Sequence, residues 1–321
     1  MALRGILLAL LAFAIFATHD VIIKFLGGTF SPFQLIFFSS LMSFPLATFM
    51  LMRDPTEGNL RPVNPWWVIS RTIGTTVGTL CAFYAFTVLP LSQVYSLLFA
   101  MPLIITVLSV PILGEKVGLH RWAAVVFGLA GVLIVLRPGS ADLELGHLAA
   151  LTSAMCSSYG SVVVRRIGRQ ERSVVLMLYP LAANFILMGL ALPFVYQPMT
   201  IEQLGLIGLI AIFAFSAGLF LIAAYKASEA AVVAPMQYSQ ILWATVFGYV
   251  LFGETMDMPT MIGATLIIAS GIYIVLRESR GRSQNTPVLR TRQRSNTPGA
   301  MRVAPFLRRG TQPVSQPESG S

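Results

Sequence analysis

Charged residues are scarce in this chain: Asp, Glu, Lys and Arg make up 11% of its 321 residues, where soluble domains carry about 25%. That shortage excludes a water-solvated globule as the main body of the protein. Cysteine is scarcer still. Cys81 and Cys156 stand alone in apolar segments, with no C-x-x-C and no partnering His spacing, so neither a disulfide framework nor a metal site is expected. No G-x-x-x-x-G-K-[ST] occurs, which leaves no ATP site of that kind. No G-x-S-x-G or comparable nucleophile setting occurs either, so the sequence predicts no enzyme and no cofactor. Alternation with a period of two is also missing, which argues against a membrane β-barrel.

What the chain does have is apolar length. Hydrophobic residues make up 55% of it and its mean hydropathy is +0.75. Its apolar stretches run close to the roughly 20 residues that cross a bilayer as a helix. Hydropathy and turn residues predict ten spans, at 4–26, 33–52, 66–88, 91–113, 120–137, 146–165, 173–195, 203–225, 231–252 and 259–277. The fold class expected is therefore an all-α polytopic membrane protein. Arg4 ahead of an apolar run, with Ala12-Phe13-Ala14 inside it, also fits a cleaved leader. Cleavage would leave nine spans and upset the charge distribution described next.

Basic residues in short loops mark the cytoplasmic side. With the N-terminus inside, Arg4, Arg53, Arg61, Lys116, Arg121, the cluster Arg165 to Arg172, Lys226 and the nine arginines from Arg277 onward all fall inside. Outside connections hold only Lys24 and Arg137. Both termini are thus expected in the cytoplasm, in a bacterial inner membrane. The net charge of +9 is carried largely by the Ser/Pro/Gln/Gly-rich tail. That tail reads as a disordered cytoplasmic segment able to touch anionic lipid, and nucleic acid is not an expected partner.

Two stretches about 140 residues apart resemble each other. The first runs through Tyr84-Ala85-Phe86, Ser92 to Ser96, Leu113-Gly114-Glu115 and Gly131 to Arg137. The second runs through Ala224-Tyr225-Lys226, Gln237 to Gln240, Phe252-Gly253-Glu254 and Gly271 to Arg277. Residues 1–137 and 138–278 are therefore read as two five-helix repeats, with 279–321 as the tail. Five is odd, so the second repeat enters the membrane upside down. Inverted repeats put a binding site near the bilayer middle and permit rocking between two access states.

Taken with Asp20 to Lys24 ahead of Ser31-Pro32, these motifs resemble the drug/metabolite transporter superfamily, EamA type, over roughly residues 4–277. The resemblance implies ten helices, inverted halves and a central cavity for amino acids, nucleotide-derived metabolites, vitamins or drugs. Its implied function is a secondary carrier working by alternating access. Riboflavin uptake is the specific expectation, and an exporter of amino acids, metabolites or drugs is the alternative.

Charged groups in hydrocarbon are costly and mark candidate functional positions. His19, Asp20 and Lys24 are the candidates for ion or proton coupling, with Asp20 and Lys24 spaced i, i+4 and able to pair. The competing reading is a neutralised structural pair. Gln93, Tyr95 and Ser96 in the fourth span, Tyr159 in the sixth, and Gln237, Tyr238, Gln240 and Trp243 in the ninth are candidates for substrate binding. Amides and rings suit a polar, uncharged, partly planar solute, although interhelical hydrogen bonding uses the same residues. Arg71 is a further candidate for an anionic group. Pro102 is expected to kink the fourth span. Gly74 and Gly78 fit a close-packed helix face. The partners expected are a small-molecule substrate and the lipid bilayer, with a second copy of the chain left open.

Overall fold

The computed structural model describes residues 2–52, 60–115, 117–137, 144–168, 170–227 and 233–280. Arg53, Lys116 and Arg169, which entered the charge distribution, lie outside the described residues, as does the tail from residue 281 on. So do the side chains of Lys226 and Arg277.

Every regular element among the described residues is helical. In hydrocarbon a helix satisfies its own backbone, so long apolar runs have little alternative. The elements are α1 (Ala2–Gly27), α2 (Pro32–Met52), α3 (Pro65–Val88), α4 (Leu91–Leu98), α5 (Met101–Leu113), α6 (Leu119–Leu136), α7 (Leu145–Ile167), α8 (Ser173–Val195), α9 (Ile201–Ala227), a 3-10 turn (Ala234–Ser239), α10 (Gln240–Phe252) and α11 (Met258–Arg280). With α4 and α5 read as one interrupted span, and the 3-10 turn joined to α10, there are ten spans. Six stretches are long and apolar enough to cross a membrane on that basis alone, including Leu3–Gly27, Leu91–Leu113 and Ile201–Ala224. α3 and α7 are not among these six, and they carry several hydroxyls with Arg71, Arg165 and Arg166.

The fourth span breaks earlier than its proline suggests. Pro102 has no N–H to offer the Leu98 carbonyl, and the helix gives way at Phe99–Ala100, where Ala100 N–H bonds Leu97 instead. The equivalent span of the second repeat enters through the 3-10 turn rather than a regular helical turn. Both spans end alike. Gly114 (φ 69°) and Gly253 (φ 65°) close α5 and α10 in the left-handed conformation. Glu115 N–H then bonds the Ser109 carbonyl and Glu254 N–H the Gly248 carbonyl. This is the glycine-capped helix end that L side chains adopt poorly.

The repeats are interleaved rather than side by side. α1 packs mainly on α9 and α3 on α7, while α2 packs on α8, α4 on α10 and α6 on α11. Each of these pairs takes one helix from each repeat, and α1·α9 and α3·α7 are equivalents under the exchange of repeats. The buried core runs through this seam, with Ile23, Leu35, Leu97, Leu103, Ile207 and Ile267 fully enclosed. Large apolar side chains such as Leu3, Leu7, Leu11, Phe194 and Leu190 stand outward, as lipid-facing residues would. At α6 and α11 the backbones nearly touch: a Cβ on Gly131 would lie 2.8 Å from the Gly263 carbonyl oxygen, and one on Gly263 would lie 2.6 Å from that of Gly131.

Candidate functional site

The face at which α1 begins is here the N-terminal face, and the other the opposite face. Near the opposite face, α1 brings three charged or titratable side chains into the seam. Asp20 is buried and accepts two hydrogen-bond contacts, one from His19 Nδ1 at 2.7 Å and a short one from the Tyr95 hydroxyl of α4. Tyr95 is itself enclosed, and the Gln240 side chain lies within interaction range of its hydroxyl. Asp20 and Lys24 share a face, yet they are not partners. Lys24 Nζ reaches Glu254 Oε1 at 2.7 Å and the Leu89 carbonyl at 2.5 Å. The reason is geometric: Glu254 stands just past the glycine cap of α10, and α1 passes close to it. Glu254 uses its other oxygen to accept Leu91 N–H at 2.9 Å, at the start of α4. A carboxylate at a helix N-terminus is favourably placed, as is a cation on the last carbonyls of α3.

From Tyr95 a column of rings crosses the middle of the seam. Phe86 meets Tyr95 at 5.6 Å, Tyr95 meets Phe99 at 6.1 Å, and Phe99 meets Tyr238 edge-on at 5.0 Å. The Tyr238 hydroxyl and the Ser239 hydroxyl are buried without a hydrogen-bond partner. At the N-terminal face a second set of contacts mirrors the first. Arg165 of α7 pairs with Glu115, just past the glycine cap of α5, and Arg166 donates to the Ile112 carbonyl while lying 4.6 Å over the Trp67 ring.

Of the residues singled out from sequence, the structure brings His19, Asp20, Tyr95 and Gln240 together, with Tyr238 two rings away. Gln93 and Gln237 are partly buried nearby in α4 and the 3-10 turn. Ser96 is enclosed and donates to its own helix at Ser92. Tyr159 lies apart from the column, its hydroxyl 2.9 Å from Ser70 between α7 and α3. Trp243 is partly exposed and stacks on Phe247. Arg71 donates to the Leu176 carbonyl at 2.6 Å. Gly74 and Gly78 do face a neighbour: a Cβ at Gly78 would lie 2.9 Å from that of Cys156 on α7. Phe99, Glu115, Arg165 and Glu254 are not among the site candidates marked by the sequence. The doubled Gly-Glu at equivalent helix ends was the signal that could have found both glutamates. Among the described residues no group of three or more His, Cys, Asp or Glu is arranged to hold a metal ion.

The model of the EamA-like transporter family matches residues 3–137 and 144–277. The S-adenosylmethionine uptake transporter of Rickettsia prowazekii is 24% identical over 291 residues, 88% of this chain and 95% of that protein. The pseudopaline exporter of Pseudomonas aeruginosa is 24% identical over 275 residues, 84% of this chain and 95% of the exporter. The riboflavin transporter of Rhizobium johnstonii is 28% identical over 222 residues, 69% of this chain and 74% of that protein. A crystal structure superposes with a TM-score of 0.58 at 20% identity, covering 87% of this chain and 98% of its own. That likeness concerns the fold alone.

Proposed function

Because the chain belongs to the EamA-like transporter family, we propose that it is a secondary carrier moving a small metabolite across a bacterial inner membrane by alternating access. Both termini lie in the cytoplasm in this reading, so the Lys24 pair faces outward. The observation that carries it is the buried Asp20–Tyr95 contact, set between the two repeats and beside a column of rings. Rings offer flat apolar faces to a planar solute, while Gln93, Gln237 and Gln240 offer donors and acceptors for its edges. Riboflavin uptake is the specific reading, since its ring system matches both. The relatives' names include uptake and export, and import is the direction we take.

Asp20 serves as the coupling group. Ionised, it accepts from Tyr95 and His19 and ties α1 to α4; protonated, it gives up an acceptor site and the tie loosens. Proton entry onto this carboxylate would thereby be linked to helix movement. The test is uptake into proteoliposomes of labelled riboflavin, amino acids and nucleosides, with and without a pH gradient. Riboflavin accumulation driven by an inward proton gradient is expected. Transport of another compound with no riboflavin uptake removes the vitamin reading, and no transport of any solute removes the carrier reading.

A further inference from the structure

The ion pairs at the two faces are equivalents under the exchange of repeats. Lys24 lies near the end of α1, the first helix of the first repeat, and Arg165 near the end of α7, the first helix of the second. Glu254 follows the left-handed Gly253, and Glu115 follows the left-handed Gly114. Each pair therefore joins the first helix of one repeat to the glycine-capped fourth span of the other. Arg137 to Asp257 also bridges the repeats, but it stands more exposed, at the end of α6 and the start of α11.

A second pair of contacts obeys the same symmetry without charge at both partners. Gln34, at the start of α2, accepts from Gln197 N–H at 2.9 Å and donates to the Gln197 carbonyl at 2.7 Å. Glu171, ahead of α8, accepts from Asn64 N–H at 2.5 Å. These join α2 and α8 to the loops preceding their neighbours, so they bind the scaffold helices at both faces. The glutamate pairs differ in joining α1 and α7 to the two interrupted spans, which hold the ring column.

We propose that Lys24–Glu254 and Arg165–Glu115 are the two alternating latches of this carrier: opening toward either face breaks the pair at that face while the other holds. The inference rests on the carrier reading and adds which bonds govern access. Both pairs are formed here, so both latches are engaged. Each pair is largely shielded, at 11% and 16% side-chain exposure for Lys24 and Glu254 and 18% and 28% for Arg165 and Glu115. Removing one partner of such a pair leaves an uncompensated charge, which favours the conformation where that charge meets water. Opening hydrates the two charges of the broken pair, which offsets part of the lost attraction. The glycine caps hold each carboxylate at a fixed place, so that pairing is regained whenever the spans return.

The test needs no substrate. A single cysteine at position 239, at the junction of the 3-10 turn and α10, is introduced as Ser239→Cys in a Cys81→Ser/Cys156→Ser background. Its labelling by a membrane-impermeant thiol reagent is timed in spheroplasts and in inverted vesicles. Glu254→Gln is expected to raise labelling from one side and lower it from the other, on the order of tenfold, and Glu115→Gln to do the reverse. Lys24→Arg, which keeps a cation for Glu254 and a donor for the Leu89 carbonyl, is expected to leave both rates near those of the parent. Should Glu254→Gln not reach the membrane, Lys24→Gln reads the same bond. Equal shifts in one direction, unchanged rates, or a Lys24→Arg protein that behaves like Lys24→Gln would each overturn the proposal. A labelling pattern as expected with no uptake of any solute would leave the latches standing and remove the carrier reading.

Discussion

Phe99 and Tyr238 occupy corresponding places in the two repeats and meet edge to face at 5.0 Å. The local two-fold relation between the halves therefore runs close to this contact, where the interrupted fourth and ninth spans face each other. Edge-to-face rings gain beyond their buried area, and both of these are buried.

Their substitutions should separate packing from recognition. Phe99→Ala is expected to lower the stability of the purified protein by about 3 kcal/mol or more, as loss of a buried ring does, read as thermal unfolding in detergent. Tyr238→Phe removes a hydroxyl without a partner and should change stability by less than about 0.5 kcal/mol. If that hydroxyl is reserved for the solute, the KM for riboflavin rises by about fivefold, the equivalent of one hydrogen bond. An unchanged KM would remove Tyr238 from the binding site.

Asp20 and Tyr95 make the second prediction. Asp20→Asn keeps the shape of the side chain but removes the carboxylate that would carry the proton. It should abolish the stimulation of uptake by a pH gradient while sparing exchange of labelled for unlabelled riboflavin. Tyr95→Phe leaves the Asp20 carboxylate in place and should retain gradient-driven uptake at a reduced rate. Exchange lost in Asp20→Asn with wild-type folding would assign Asp20 to binding rather than coupling.

The spans and the doubling were legible in the sequence because lipid leaves a helix few ways to satisfy its backbone. The third and seventh elements, α3 and α7, were legible as spans from their flanking turns despite their hydroxyls and arginines. Partners across the seam were not legible. The i, i+4 spacing of Asp20 and Lys24 shows that they share a face, but the choice of partner depends on how near α10 approaches α1. The break at Phe99 was displaced from Pro102 for a related reason: the missing N–H belongs to Pro102, while the carbonyl it deprives belongs to Leu98, a turn earlier. Phe99 itself carries no polar mark and gains its place only from the second repeat.

The α6–α11 crossing gives a third prediction. At Gly131 an added Cβ would meet the Gly263 oxygen at 2.8 Å, Ile267 at 2.9 Å and Leu266 at 3.0 Å. Backbone cannot yield as a flexible side chain does, so Gly131→Leu should force the fifth helices of the two repeats apart. A broad or aggregated profile in size-exclusion chromatography is expected. Gly118→Ala is the control, since nothing lies within 4 Å of a Cβ there, and its profile should match the parent.

The last prediction concerns Arg71, which sequence alone left open as an anion contact. Pro180 lies inside α8 and cannot donate to the carbonyl four residues earlier, that of Leu176. Arg71 Nη1 donates to that carbonyl at 2.6 Å, so the guanidinium of one repeat supplies the donor that a proline in the other withholds. Arg71→Met would strand the carbonyl and should cost about 1–3 kcal/mol of stability. Pro180→Ala restores an N–H at the required place. If the carbonyl is what Arg71 serves, Arg71→Met should be much less harmful when Pro180→Ala is present, with a coupling of about 1 kcal/mol in the double-mutant cycle. Thermal unfolding of the four proteins reads that coupling directly. Strict additivity would mean that Arg71 is held for another purpose, and a selective loss of anionic solutes in Arg71→Met uptake assays would identify it.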